Sequence, residues 1–418
     1  MKMKKIMLVL LVCLFMIGLT SLALTRDNSI KLMWWQDVDK VQEAWFSEFK
    51  RFEAETGIHV EVEVLGFSDM YKKLTIAFAS KSPEYDVLYT VPQWLNAYAS
   101  KGFLEPLNDR ITADLEELYV QGWKDPLSYD GKIYSLPKTI GPRIVYYNKE
   151  IFKEAGVEEP PVSWNELLNI AKTISNNTDH DGFVYYFNGT GSYYLMAMLL
   201  NGSGGKMFTE DGAAAFNGPK GIKAVKFLKE LFSYMPKSSL QWENTRLSNE
   251  YFLKGDAGIT FAQSKLWNNI NDEETSNVKG KCGYAIVPGD GEENMRSGTR
   301  TVWEGLAISK FSKNKDAAWE FIKWATTNLE HTQKIFDVPG FVPPLKEFFK
   351  YNAENLVLKT ILEQISYPGE TWESYSDAPE IVEIIRTELQ SVMYDQKTPE
   401  QALNDAAKQV NKLRGISK

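Results

Sequence analysis

Hydrophobic residues between positions 30 and 91 alternate between two periods, and this alternation limits the fold more than any other feature of the sequence. Three apolar segments have the composition or the two-residue period of strands, and they are residues 30–35, 58–65 and 85–91. Two segments with helical spacing separate them, residues 41–52 and 70–79. This order of strands and helices predicts β–α–β units with a mainly parallel sheet, and therefore an α/β fold.

Two helices have clear start signals. Ser163 can cap a helix, and Glu166 three residues later completes a capping box. Near the C-terminus, Thr398 provides a cap, Pro399 fits the first turn, and Gln401 takes the position of the second box residue. Both patterns predict helices that begin immediately after the capping residue.

The first 25 residues have the pattern of a secretory signal peptide. Residues 1–5 include three lysines and no acidic residue, and residues 6–19 are predominantly apolar. We expect cleavage between residues 23 and 25 and a location outside the cytoplasmic membrane, either periplasmic or extracellular. The apolar run is shorter than the about 20 residues of a transmembrane helix, which disfavours a retained anchor. Lipid attachment at Cys13 is disfavoured because the residue before it is not small.

Charge and cysteine content exclude several classes of protein. Loss of the three lysines in residues 1–25 changes the formal net charge from −8 to −11. An acidic surface argues against nucleic acid or an anionic membrane as the partner. One cysteine, Cys282, remains after cleavage, so no intramolecular disulfide is expected.

Several segments, taken in order, resemble one protein family. They are residues 82–87, 98–99, 102–107, 130–137, 146–149, 252–258, 303–309 and 317–322. Together they resemble the extracellular solute-binding proteins of ATP-binding-cassette sugar importers, the maltose-binding-protein-like family. The similarity extends from about residue 30 to the C-terminus.

The resemblance implies two α/β lobes joined by a hinge, with a ligand cleft between them. Each lobe is then discontinuous in sequence. Lobe one is expected at residues 28–140 plus 303–345, and lobe two at residues 141–302 plus 346–418. A break is expected near Gly141-Pro142, after which residues 143–148 have the composition of a strand that leads into the second lobe.

The resemblance also implies a function. It is that of the extracytoplasmic substrate-binding component of an ATP-binding-cassette importer, a monomer without a cofactor. Such a protein captures a mono- or oligosaccharide by lobe closure and delivers it to the membrane permease. Two alternatives stay open. One is a secreted glycoside hydrolase, because 55 acidic residues offer many carboxylate pairs, and the other is a binder of a non-sugar solute with the same fold.

The chemistry of a sugar determines which side chains are candidates for the cleft. Aromatic rings stack on the apolar C–H face of a sugar, while carboxylates, amides and arginine bond its hydroxyls. The ligand-binding candidates are Trp35, Gln36, Asp37, Gln93, Trp94, Arg143, Tyr194, Trp267, Trp303, Glu304, Trp372 and Tyr375. An anion binder would concentrate Arg, Lys or helix N-termini at the cleft, whereas this set is aromatic and neutral to acidic, which favours a polyol.

Several candidates have an alternative role. Because neighbouring strand residues face opposite ways, we expect Trp35 in the cleft and Trp34 in the core. Asp37 can instead cap the following helix. For Arg143 we favour a pair with a buried acid between the lobes. Core packing is the alternative for Trp267 and Tyr194.

Metal sites have little support in the sequence. The three histidines lie far apart and lack the spacing of metal ligands. Residues 177–182 partly match a calcium loop, but Asn188 occupies the twelfth position, where a bidentate glutamate is expected. A polar turn around Asp179 is the better interpretation.

Overall fold

A computed structural model describes the chain at residues 28–36, 39–264, 266–291, 297–299, 301–337, 341–367, 369 and 377–416. The expected signal peptide lies outside these residues. Within them, no helix has both the length and the apolar composition needed to cross a membrane.

The strands follow the predicted alternation and add a second set further along the chain. They are β1 (Ser29–Trp35), β2 (His59–Leu65), β3 (Val87–Thr90), β4 (Ser128–Tyr129), β5 (Lys132–Ile133), β6 (Ser135–Asn148), β7 (Asp181–Val184), β8 (Ala257–Gln263), β9 (Cys282–Ala285) and β10 (Thr301–Ile308). The three strands expected from the N-terminal pattern are therefore present, the third one shorter than expected because Pro92 already begins a helix.

Helices account for much of the remaining described chain. The first eight are α1 (Asp39–Thr56), α2 (Phe67–Ala79), α3 (Pro92–Ala99), α4 (Ala113–Glu117), α5 (Lys149–Ala155), α6 (Trp164–Asn177), α7 (Gly191–Gly202) and α8 (Pro219–Phe232). They are followed by α9 (Thr245–Leu253), α10 (Leu266–Ile270), α11 (Lys315–Thr327), α12 (Leu329–Asp337), α13 (Lys346–Tyr351), α14 (Leu356–Gln364), α15 (Ala378–Met393) and α16 (Pro399–Leu413).

Strand β6 belongs to the hydrogen-bonded ladders of both lobes. In the described part of the chain the strand order is β2-β1-β3-β10-β6-β8-β7, with β9 also paired to β6. Residues 135–142 of β6 pair with β10, and residues 143–147 pair with β8. One continuous strand thus crosses from the first ladder to the second.

The break expected at Gly141-Pro142 is a change of partner strand, and the strand expected at residues 143–148 begins earlier, because β6 runs without interruption from Ser135 to Asn148. Pro142 lacks an N–H group, but it is the last β6 residue paired with β10 and lies opposite Thr301. Its carbonyl accepts a hydrogen bond of 3.2 Å from the Ser264 backbone N–H. The proline therefore marks a change of partner strand rather than the end of a strand.

Strand directions bring two sheet edges face to face. β1, β2 and β3 are parallel, and β10 runs antiparallel to both β3 and β6. β6 therefore runs in the same direction as β1 and β3. In the other lobe β8 is antiparallel to β6 and β7 is parallel to β8. The carboxyl ends of β1 and β3 thus point toward the carboxyl ends of β7 and β8.

Two hydrophobic clusters form the core. The first packs α1, α2, α11 and α12 around the first sheet and extends over one face of the second sheet. The other cluster packs α6, α7, α8, α15 and α16 on the opposite face of the second sheet. Neighbours on β6 enter different clusters, since Tyr146 belongs to the first and Val145 to the second. The proposed lobe boundaries stay a prediction.

Both predicted helix starts are present. Ser163 accepts a hydrogen bond of 3.2 Å from the Glu166 backbone N–H, but the Glu166 carboxylate accepts from Val162, one residue earlier than a capping box requires. At α16 the box is complete, because Thr398 accepts from the Gln401 backbone N–H and Gln401 accepts from Thr398.

Replacing Thr398 by alanine removes the cap of α16 and is expected to lower the free energy of unfolding by about 1 kcal/mol. The matched control is Thr173→Ala on the surface of α6, where the lost hydroxyl bonds only the Asn169 carbonyl within the same helix. Urea unfolding followed by circular dichroism measures both variants. Equal stability of the two variants would contradict the capping role.

Candidate functional site

The candidate site is the space between the two facing sheet edges, called the cleft below. On the side of lobe one, β1 ends at Trp35 and β3 ends at Thr90. On the side of lobe two, β7 ends at Val184 and β8 ends at Gln263. Open α/β sheets bind ligands beyond the carboxyl ends of their strands, and here two such edges meet where β6 crosses between the ladders.

Trp35 lies at the lobe-one edge with part of its ring exposed. Its ring centroid is 6.0 Å from that of Tyr89 and 6.5 Å from that of Phe67. Trp34 is buried against Trp45 and the helix α1, as strand alternation predicts. Contact of Trp35 with a ligand stays a prediction, and its position at the carboxyl end of β1 is consistent with it.

Phe67 belongs to the same aromatic group and was missed by the sequence analysis. It follows the carboxyl end of β2, is 39% exposed, and lies with its ring centroid 4.1 Å from that of Trp94. Trp94 itself is only 6% exposed, so it supports the Phe67 ring and offers little surface of its own. The signal that was available is the position of Phe67 directly after a parallel strand.

Two glutamines provide amide groups on the lobe-one side. Gln36 is exposed, and its backbone N–H donates a hydrogen bond of 2.9 Å to the Leu65 carbonyl. Gln93 lies in the first turn of α3, and its buried Oε1 has no hydrogen-bond partner among the described residues. A buried acceptor without a partner is costly, so the Gln93 amide is a good candidate for a ligand hydroxyl.

Glu304 pairs with a lysine that the sequence analysis did not identify. Its Oε2 lies 3.6 Å from the Lys138 Nζ, and both side chains are buried. Residue 304 is on β10 and Lys138 is on β6, at an irregularity of the ladder next to Gly305. Aromatic rings surround the ammonium group at 4.2 to 5.0 Å from their centroids, namely Phe341, Trp34, Trp45 and Tyr89. The signal available in the sequence is a lysine between the apolar residues Leu136 and Ile140.

Two other tryptophan candidates pack against protein groups. Trp303 lies on β10 and is 5% exposed, so most of its ring is in the core. Trp267, on α10 just after β8, stacks on Phe336 of α12 with centroids 5.1 Å apart and planes inclined by 9°. One face of the Trp267 ring is therefore covered by an aromatic residue at the end of lobe one, and the ring remains partly exposed.

Arg143 is surrounded by tyrosines rather than by an acid. The expected pair with a buried acid is wrong for the described residues, in which no carboxylate bonds this guanidinium. Instead its Cζ lies 4.2 Å from the centroid of the Tyr194 ring, and Nη2 donates a long hydrogen bond of 3.5 Å to the Tyr186 hydroxyl.

The remaining ligand-binding candidates, Asp37, Trp372 and Tyr375, lie outside the described residues. Among the residues that are described, no cluster of three or more His, Cys, Asp or Glu side chains is arranged to hold a metal ion. A surface pocket of about 470 Å³ is lined by Tyr147, Phe152 and Val157, at the end of β6 remote from the cleft.

A known protein family matches most of this sequence. The sequence model of the bacterial extracellular solute-binding proteins matches residues 37–328. The chain belongs to this family. The match confirms the resemblance that the ordered segments indicated, and the description of the family places its members outside the cytoplasm.

Several proteins resemble this solute-binding protein along most of its length. The diacetylchitobiose-binding protein DasA of Streptomyces coelicolor is 27% identical over 86% of this chain and 83% of its own. An ABC-transporter solute-binding protein of Thermotoga lettingae, solved with α-D-tagatose, is 26% identical with a TM-score of 0.76, over 92% of this chain and 99% of its own. Maltose-bound MalE3 of T. maritima is 23% identical with a TM-score of 0.77, and the match covers 92% of this chain and 99% of MalE3. These similarities confirm the two-lobe fold.

Replacing Lys138 by methionine leaves Glu304 buried without its cation and is expected to lower the free energy of unfolding by about 3 kcal/mol or more. The matched control is Lys72→Met, which removes a surface pair with Asp69 and should cost less than about 1 kcal/mol. Urea unfolding measures both.

Adding Glu304→Leu to Lys138→Met is expected to recover part of the loss, because it removes the uncompensated carboxylate. If Lys138→Met is no more destabilising than Lys72→Met, the buried pair does not stabilise the crossing of β6.

Proposed function

We propose that this protein captures a small carbohydrate in the cleft and delivers it to the membrane permease of an ATP-binding-cassette importer. One observation carries the proposal most directly, the combination of aromatic rings and amide or charged groups at two facing sheet edges. Trp35 and Phe67 offer partly exposed rings, while Gln93 and Glu304 offer acceptors for hydroxyl groups. This pairing of apolar faces with hydrogen-bonding groups matches the two surfaces of a sugar ring.

Relatives support a carbohydrate as the ligand class. DasA is named for diacetylchitobiose, and the solved Thermotoga lettingae protein holds α-D-tagatose. Both are similar to this chain over more than four fifths of its length. We therefore assign a carbohydrate ligand to this chain, but neither diacetylchitobiose nor α-D-tagatose in particular.

The proposed contacts come from both lobes. Those with exposed or unpartnered groups at the cleft are Trp35, Gln36, Gln93, Arg143, Trp267 and Glu304, with Tyr194 beside Arg143. Trp94 and Trp303 are mostly buried, so any contact they make involves a ring edge. We also expect Asp37, Trp372 and Tyr375 to contribute, as the sequence analysis proposes.

Closure of the lobes explains how a membrane partner distinguishes the loaded protein. A sugar held by one lobe alone keeps one side in water, whereas closure adds contacts that exist only in the closed form. Such differential contacts are what shift an equilibrium between open and closed forms. The crossing of β6 at Gly141 and Pro142 is our candidate for one hinge, because the partner strand changes there.

Binding without catalysis is part of the proposal. A glycoside hydrolase needs two carboxyl groups on either side of the scissile bond, about 5 to 10 Å apart. The candidate set within the described residues holds one carboxylate, Glu304, and it is already paired with Lys138. A single carboxylate engaged by a lysine favours the binding role.

We expect a thermal-shift screen of mono-, di- and oligosaccharides to find ligands that raise the midpoint of unfolding, because a ligand bound only by the native state stabilises it. Titration calorimetry with the best ligand should then show affinity weakened by about 1–3 kcal/mol in Trp35→Ala. Tyr394→Ala, which truncates an exposed ring at the end of α15, is the control with unchanged affinity.

Two further results on the same samples would separate the alternatives. Chromatography of the sugar after incubation should recover it unchanged, and catalytic conversion would instead support the hydrolase. Failure of every carbohydrate to bind, while a non-sugar solute does bind, would refute the proposed ligand class.

A further inference from the structure

The guanidinium of Arg143 is a buried positive charge that the protein compensates only in part. The side chain is 2% exposed, and its Nε and Nη1 have no hydrogen-bond partner among the described residues. Its one hydrogen bond, to Tyr186, is 3.5 Å long, at the limit of such an interaction. The Tyr194 ring supplies a cation–π contact, but burying an unpaired charge remains costly. A partner for this charge is therefore expected at this position.

The N-terminus of a twelve-residue helix lies at the same place. Tyr194 is in the first turn of α7, and Thr190, the residue before the helix, shares a hydrogen bond of 3.0 Å with Tyr186. The Thr190 side chain makes no capping hydrogen bond at this terminus within the described structure. Ser192, the second residue of α7, is fully buried, and its hydroxyl has no hydrogen-bond partner in the described structure. A helix N-terminus attracts negative charge through its free N–H groups and its dipole.

This group of donors lies at the cleft edge of lobe two. Arg143 pairs across the ladder with Gln263, the last residue of β8. Tyr185 and Tyr186 directly follow the carboxyl end of β7. Arg143 and the start of α7 therefore both lie near the ends of two strands of lobe two, which is where a ligand of this fold binds.

We propose that the carbohydrate is an acidic one, a uronic acid or an oligosaccharide with a uronate unit, whose carboxylate binds Arg143 and the N-terminus of α7. This inference rests on the proposed function. A carboxylate fits better than a phosphate, because one arginine balances one negative charge, whereas a phosphate carries about −1.5 to −2. The Tyr194 ring covers one side of the guanidinium, and the two nitrogens without a partner, Nε and Nη1, are the donors left for the carboxylate.

The sequence alone favours a neutral polyol, because the candidate residues are aromatic and neutral to acidic. The structure adds two features that the sequence did not reveal. Arg143 has tyrosines instead of an acidic partner, and a helix N-terminus lies beside it. Charged hydrogen bonds from such donors are about twice as strong as neutral ones, so they would dominate the choice between an acid and its neutral sugar.

The test compares each acid with its neutral counterpart by titration calorimetry, using galacturonate with galactose and glucuronate with glucose, and the corresponding disaccharides. We expect the full-length mature protein to bind at least one acid about tenfold or more tightly than the matching neutral sugar. In Arg143→Met the ratio of the two affinities should fall to about one. Arg246→Met, which removes an exposed arginine paired with Glu250, is the control that keeps the ratio.

Tighter binding of the neutral sugar by the wild-type protein would overturn the inference while leaving the proposed function intact. Equal weakening of acid and neutral sugar in Arg143→Met would also overturn it, because Arg143 would then only position Tyr194. Absence of binding by any carbohydrate would instead refute the proposed function. The wild-type ratio alone decides the ligand class if Arg143→Met does not fold, and tighter binding of inorganic phosphate than of the uronates would overturn the choice of a carboxylate.

Discussion

Strand β6 is hydrogen-bonded into both ladders, and the geometry of the cleft depends on its direction. Because β6 runs parallel to β1 and β3 but antiparallel to β8, the carboxyl ends of the two sets of strands point toward each other. The side chains that follow these strands are then brought to one place from distant parts of the chain. A reversal of either ladder would separate them by the length of the sheet.

Two buried cations flank this crossing, one on each side of Gly141 and Pro142. Lys138 is held by Glu304 and four aromatic rings in lobe one. Arg143 is held by tyrosines in lobe two, with two nitrogens left without a partner. The first cation is therefore compensated within the protein, and we propose that the second compensates the carboxylate of a ligand. Their different surroundings give the two edges of the cleft different chemical roles.

Local patterns predicted the elements well, because they depend on neighbours in sequence. The alternation of residues 58–65 and the cap at Thr398 needed no distant contact, and strand alternation correctly separated Trp34 from Trp35. The course of β6 was not predictable in this way, since Pro142 is accommodated by Thr301 and Ser264, more than 100 residues away. The same holds for the site: the aromatic surroundings of Lys138 and the tyrosines around Arg143 arise only when distant segments meet.

The central claim is that the ligand lies between the two facing edges and touches both lobes. A crystal structure of the protein with the tightest-binding carbohydrate tests this claim most directly. We predict density for the sugar beside Trp35 and Gln93 on one side and beside Arg143 on the other, with β6 behind it. Density confined to one lobe, or to the surface pocket next to Tyr147 at the far end of β6, would contradict the account.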